Sequence, residues 1–191
     1  MAFERSSGFE FQVALKASIH RVELSVADLD RHYYQDHMLT LARHPSETNE
    51  RMMVRVLAFA MNAGERLDFG RGLSNEDEPA LWQKSLTGEI ELWIDVGHPD
   101  ERRLRRACGQ AGHVKVYCYG ERASELWWQQ NQVALSRQTN LSVVGLHVPN
   151  IERLVERTMQ LQCTLEGGFA WLSSGEVQCE ALIKPWLTSA R

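Results

Sequence analysis

From Gly88 to Tyr119 the chain reads GEIELWIDVGHPDERRLRRACGQAGHVKVYCY, and no other stretch limits the fold as tightly. Glu89–Val96 alternates as a strand does, with Leu92, Ile94 and Val96 on one side and Glu91, Trp93, Asp95 and Gly97 on the other. Pro99 suits the first turn of a helix that runs to about Ala111. Val114–Tyr119 is a compact strand of β-branched and aromatic residues. A strand, a helix and a strand in succession imply a right-handed crossover and a parallel pair.

The rest of the chain is read around that unit. Phe9–Asp28 and His32–Ala42 form an N-terminal hairpin about the turn Ala27–Asp30. Ser46 is the expected N-cap of a helix that Gly64 ends, with an apolar stripe through Met53, Val54, Leu57, Ala60 and Met61. Short extended segments are expected around Arg66–Phe69 and Ala80–Lys84. A helix is expected over Ala123–Leu135, a strand over Ser142–Val148 and a helical turn near Ile151–Glu156. Met159–Glu166, Phe169–Leu172 and Val177–Ile183 read as a C-terminal β-meander. No repeat or linker divides the chain, so residues 1–191 are expected to form one mixed α/β domain.

Composition removes several function classes. The net charge of -4 gives no general attraction to nucleic acid, so such a site needs a local basic patch. No apolar run is long enough for a membrane span, and the N-terminus lacks the apolar core of a signal peptide, so a cytoplasmic protein is expected. The four cysteines have no CxxC spacing and read as reduced core thiols. The seven histidines show neither HxH nor HExxH. No GxSxG, Walker A or GxGxxG occurs, which leaves no support for acyl transfer or a nucleotide cofactor. Trp127 and Trp128 read as core packing before base stacking.

Asp95 is the conspicuous polar residue, a carboxylate between Ile94 and Val96 that needs a counter-charge. One candidate is magnesium, held by Asp95, the Val96 carbonyl and Glu78, with Asp77 and Glu76 competing for the place of Glu78. Glu50 is a further acid on the apolar side of the first helix, and Glu91 lies along the strand from Asp95. Either also has an ordinary reading: Glu50 in the first helical turn, Glu91 beside a cross-strand cation. Arg103 and Arg106 share a helix face that Gln110 continues; they could meet a phosphate or simply face solvent.

The runs LTLARHPSETNERMMVRVLAFA, GLSNEDEPALW, IELWIDVGHPDERRLRRA, VKVYCYG, WWQQNQ and NLSV resemble the YaeQ family of small bacterial proteins from about Val13 onward. That family is similar in fold to the PD-(D/E)XK nucleases. The resemblance implies a restriction-endonuclease-like core in the order α-β-β-β-α-β, which matches the order read from the residues. It also implies that Asp95 holds the acidic position of the (D/E)-x-K element, with Gly97 where lysine would stand. Glu78 matches the upstream acid and Glu50 the acid on the first core helix, while Arg103, Arg106 and Gln110 fall where a displaced basic residue or glutamine can serve.

Three functions follow as expectations. The first is a magnesium-dependent phosphodiesterase acting on DNA or RNA, with Asp95, Glu78, Glu50 and Arg103 as catalytic residues and Arg106 and Gln110 binding substrate. The second is a nucleic-acid-binding or transcription-associated module of the same fold without catalysis, favoured by the missing lysine. The third is a protein-interaction module that uses the exposed edge of the C-terminal meander.

Overall fold

Among the described residues, eleven-residue strands of alternating burial toward either end and the crossover unit between them join into a single sheet of ten strands. The computed structural model describes residues 17–71 and 77–190. In chain order the elements are β1 (Ser18–Asp28), β2 (Tyr33–Arg43), α1 (Asn49–Asn62), β3 (Leu67–Phe69), β4 (Leu81–Lys84), β5 (Ile90–Val96), α2 (Glu101–Gln110), β6 (Ala111–Tyr119), α3 (Glu121–Leu135), β7 (Leu141–His147), a 3-10 turn (Ile151–Leu154), β8 (Thr158–Glu166), β9 (Phe169–Ser174) and β10 (Val177–Leu187). The strands lie in the order β2-β1-β8-β9-β10-β7-β6-β5-β4-β3. β5, β6 and β7 run parallel, as the crossover requires, and β1 also pairs parallel with β8. The other pairings are antiparallel. The expected run of helix, three strands, helix and strand is present as α1, β3, β4, β5, α2 and β6.

Two apolar clusters hold the layers. Trp93, Val114, Val116, Cys118, Leu141 and Val143 face α2 and α3 on one side of the sheet, and Trp127 and Trp128 pack against this cluster. On the other side α1 is buried around nearly its whole circumference, from Met52 to Ala60. Its cluster takes residues from β1, β4, β5, β8 and β9, so the sheet closes over the helix. A helix apolar all round is one that lies inside the fold, and the narrower stripe expected from the sequence is widened here by Met52, Val56 and Phe59. Arg31, from the β1–β2 turn, donates to the Ala60 and Ala63 carbonyls and so caps α1 where no basic residue of its own stands.

Several boundaries differ from expectation for local reasons. Thr48, not Ser46, caps α1: its hydroxyl accepts from Arg51 N at 3.1 Å, while the Ser46 hydroxyl pairs with His44 Nδ1. Ala63 closes α1 ahead of Gly64. Pro99 precedes the N-cap Asp100 of α2 instead of lying in the first turn. The segment after β7 is a 3-10 turn and not an α-helix. The C-terminal meander has no free edge, because β8 pairs with β1 and β10 with β7; among the described residues the sheet's outer edges are β2 and β3. All four cysteines are unpaired, and burial pushes the Cys118 and Cys163 thiols up to about 12. No helix among the described residues is long and apolar enough to cross a membrane.

Candidate nucleic-acid interface

The parallel strands β5 and β6 end side by side, at Val96 and Tyr119, and the chain then turns into α2 and α3. Open α/β sheets leave a crevice beyond the carboxyl ends of such strands. Here it is a cleft of about 690 Å³, lined by Asp95, Val96, His98, Arg103 and Tyr119 from the crossover unit, by Glu78 from the segment before β4, and by Arg51 from α1. α2 meets the cleft with its Asp100-capped end, and α3 with a start at Gly120 that has no side-chain cap.

Asp95 is 5% exposed and both its carboxylate oxygens are bonded. Arg103 Nη2 donates to Oδ1 at 2.8 Å and Arg103 Nε to Oδ2 at 2.9 Å, a bidentate clasp. Trp93 Nε1 adds a bond to Oδ2 at 3.0 Å, and the guanidinium lies 5.6 Å from the Trp93 ring. Helical spacing explains the placement: Asp100 Oδ1 accepts from Arg103 N, which fixes the turn of α2 that aims this arginine back at the strand. Arg103 Nη2 also donates to the Glu78 carbonyl at 2.9 Å and ties the segment before β4 to the cleft.

The other expected residues divide. Glu78 lines the cleft, with Oε2 accepting from Arg71 N at 3.0 Å. Val96 lines it too. Glu50 is not among the lining residues; burial and the charge of Glu152 raise its carboxyl above the ordinary value. Glu91 is taken by Gln83 at 2.7 Å and Arg66 at 2.9 Å, the cross-strand pairing weighed for it. Arg106 turns to Asp77 at 3.4 Å, and Gln110 lies at the exposed far end of α2, roughly 10 Å along the axis from Arg103. Glu76 lies outside the described residues.

Those positions test whether the donors suit magnesium. No group of three or more His, Cys, Asp or Glu side chains among the described residues is gathered for a metal. Of the three acids proposed, Asp95 and Glu78 share the cleft and Glu50 does not line it. Both Asp95 oxygens bond a fixed cation. As arranged, the described donors put two carboxylates, Asp95 and Glu78, in one cleft, and a divalent ion there would have to compete with Arg103 for Asp95. Gly97, expected where a nuclease element would carry lysine, has φ of +105°, a backbone that L side chains rarely adopt, and lies on a turn and not on strand backbone.

Sequence reasoning passed over the second charged cluster. Glu47 is buried just before α1 and bonded by Arg51 Nη1 at 2.6 Å and Arg55 Nη2 at 2.8 Å. Arg51 reaches from this cluster to line the cleft. The i,i+4 spacing of Glu47 and Arg51 was the available signal. Tyr119 and His98 also line the cleft and were not among the expected site residues, although His98 directly follows the strand that carries Asp95.

A family model described as YaeQ protein matches residues 13–183. The uncharacterized protein YaeQ of Salmonella typhi is 47% identical over 177 residues, covering 91% of this chain and 98% of that protein. The Escherichia coli (strain K12) protein of the same description is 46% identical over the same length and coverage. The crystal structure of YaeQ protein from Xanthomonas axonopodis pv. citri superposes with a TM-score of 0.87 at 42% identity, covering 90% of this chain and 99% of that one. That from Pseudomonas syringae gives 0.84 at 34% identity, with 92% and 98% covered.

Proposed function

This chain belongs to the YaeQ family, and we propose that it binds the phosphodiester backbone of a nucleic acid in the cleft beyond β5 and β6. One observation carries the reading: Arg51 from α1 and Arg103 from α2 line one cleft with the uncapped start of α3. Guanidinium groups and unpaired helix amides are the donors that phosphate oxygens take. The chain is acidic overall, and in the cleft Asp95 and Glu78 balance Arg51 and Arg103, so a backbone would be held by directed bonds from the guanidinium groups and not by net charge. The order α1, β3, β4, β5, α2, β6 supports reading the fold as a variant of the PD-(D/E)XK nuclease architecture, a superfamily built to hold such backbones. The Arg103 clasp on Asp95 favours binding without cleavage, because it sets a permanent cation where a metal nuclease needs an open carboxylate.

The test is anisotropy with labelled single- and double-stranded DNA and RNA across a salt series. Binding is expected to weaken with salt, and Arg51→Ala is expected to lower the salt slope by about one. Affinity insensitive to both overturns the reading. Metal-dependent phosphodiester hydrolysis is the second reading, favoured by Asp95, Glu78 and Val96 lining the same cleft. Cleavage in magnesium or manganese that Asp95→Ala abolishes would put it first.

A further inference from the structure

His98 lines the cleft between the end of β5 and the start of α2, and its hydrogen bonding is settled by its neighbour. His98 Nε2 lies 2.8 Å from Ser124 Oγ. Ser124 is 3% exposed, and its one hydroxyl proton goes to the Tyr119 carbonyl at 2.6 Å. A carbonyl has no proton to return, so Ser124 Oγ can only accept from His98. The imidazole proton therefore sits on Nε2 and the lone pair on Nδ1. Tyr119 and Trp127 flank the ring, with centroids at 6.4 and 6.1 Å. Burial holds the imidazole below its ordinary value, which keeps it neutral at neutral pH. No group among the described residues bonds Nδ1.

An acceptor fixed beside two phosphate-seeking arginines selects between nucleic acids. Phosphate and deoxyribose along a DNA backbone offer only acceptors, so an Nδ1 lone pair gains nothing there. Each ribose of RNA adds a hydroxyl that can donate, and that hydroxyl is the group by which proteins tell the two polymers apart. We infer that the cleft prefers RNA, with His98 Nδ1 accepting a hydrogen bond from a ribose 2′-hydroxyl while Arg51 and Arg103 take the adjoining phosphates. This rests on the nucleic-acid reading above and narrows its substrate class.

The test compares three oligonucleotides of one sequence, as RNA, as DNA and as 2′-O-methyl RNA, on the full chain. RNA is expected to bind about fivefold more tightly than either of the others, the worth of one hydrogen bond. The 2′-O-methyl strand keeps the RNA-like shape and lacks the donor, so it separates hydroxyl recognition from recognition of shape. His98→Phe keeps a ring between Tyr119 and Trp127, and should bring the RNA-to-DNA ratio toward one. Ser124→Ala, which frees Nε2 from its partner, should lower the ratio part of the way. Equal affinity for all three strands, with binding still reduced by Arg51→Ala, overturns this inference alone. A 2′-O-methyl strand that binds as well as RNA does the same. Failure of every strand to bind overturns the parent reading and this one with it.

Discussion

Glu47 and Asp95 are both buried carboxylates met by arginine, yet one cluster is sealed and the other open. The Glu47 side chain is fully buried between Arg51 and Arg55, and Arg55 is itself 1% exposed, with its Nε lacking a partner. Asp95 is clasped by Arg103, whose side chain keeps 21% of its surface exposed at the wall of the cleft. The same pairing thus serves two ends. Around Glu47 it neutralises charge inside the fold, where no ligand can reach Arg55. Around Asp95 it holds a cation at a surface where a ligand can. Arg51 belongs to both, since it bonds Glu47 and also lines the cleft.

The largest effect should come from breaking the sealed cluster. Glu47→Ala leaves Arg55 charged, buried and without its carboxylate, and removing one partner of a buried pair costs about 3–5 kcal/mol. Urea unfolding should show that loss in the midpoint. A loss below about 1 kcal/mol would mean that the Glu47 cluster is as open to solvent as that of Asp95, and the contrast would fail. Gly97→Lys comes next. It places a lysine where the proposed nuclease-like reading would expect one, on a backbone with φ of +105°, and should cost about 1–2 kcal/mol without creating metal-dependent cleavage. Cleavage by this variant would show that only the lysine had been missing.

Asp95→Asn sharpens the comparison by the sign of its effect. Amide replaces carboxylate at the same size, so the cleft loses one negative charge and Arg103 loses its counter-ion. If the cleft binds phosphate, affinity at low salt should rise and the salt slope should steepen by up to about one. If Asp95 ligates a catalytic metal, activity should vanish with no gain in affinity. An affinity measurement and a cleavage assay on the same preparation decide between them.

The crossover unit was legible because each piece declares itself locally. β5 alternates, Pro99 signals a helix entrance though Asp100 after it is the cap, and β6 is rich in β-branched and aromatic residues. That Asp95 needs a counter-charge was legible in the apolar strand around it, but the expected partner was magnesium, whereas Arg103 takes the carboxylate directly. What stayed hidden depends on distant contacts. The closing of the sheet over α1 rests on β1 pairing with β8, which lies more than a hundred residues away in sequence. Arg51 and Arg55 interrupt the apolar pattern of α1, so its burial all round reads as a stripe. The tautomer of His98 follows from Ser124 and the Tyr119 carbonyl, a relation with no motif spacing.

Glu50 completes the series as the acid without an arginine, and its effect should be the smallest. Among the described residues it forms no ion pair, and burial, then the charge of Glu152, raises its carboxyl above 4.5. A carboxyl whose folded value is raised gives stability when protonated and loses it as pH climbs through that raised value. Ionised Glu50 therefore weakens the fold at neutral pH, the reverse of an acid held by arginine. Glu50→Gln should raise the urea midpoint slightly at about pH 7 and have no stabilising effect at about pH 4, where Glu50 already carries its proton. A lower midpoint at pH 7 would mean that the Glu50 charge is stabilising, as at a helix N-terminus held by its macrodipole, and would place it with Glu47 and Asp95.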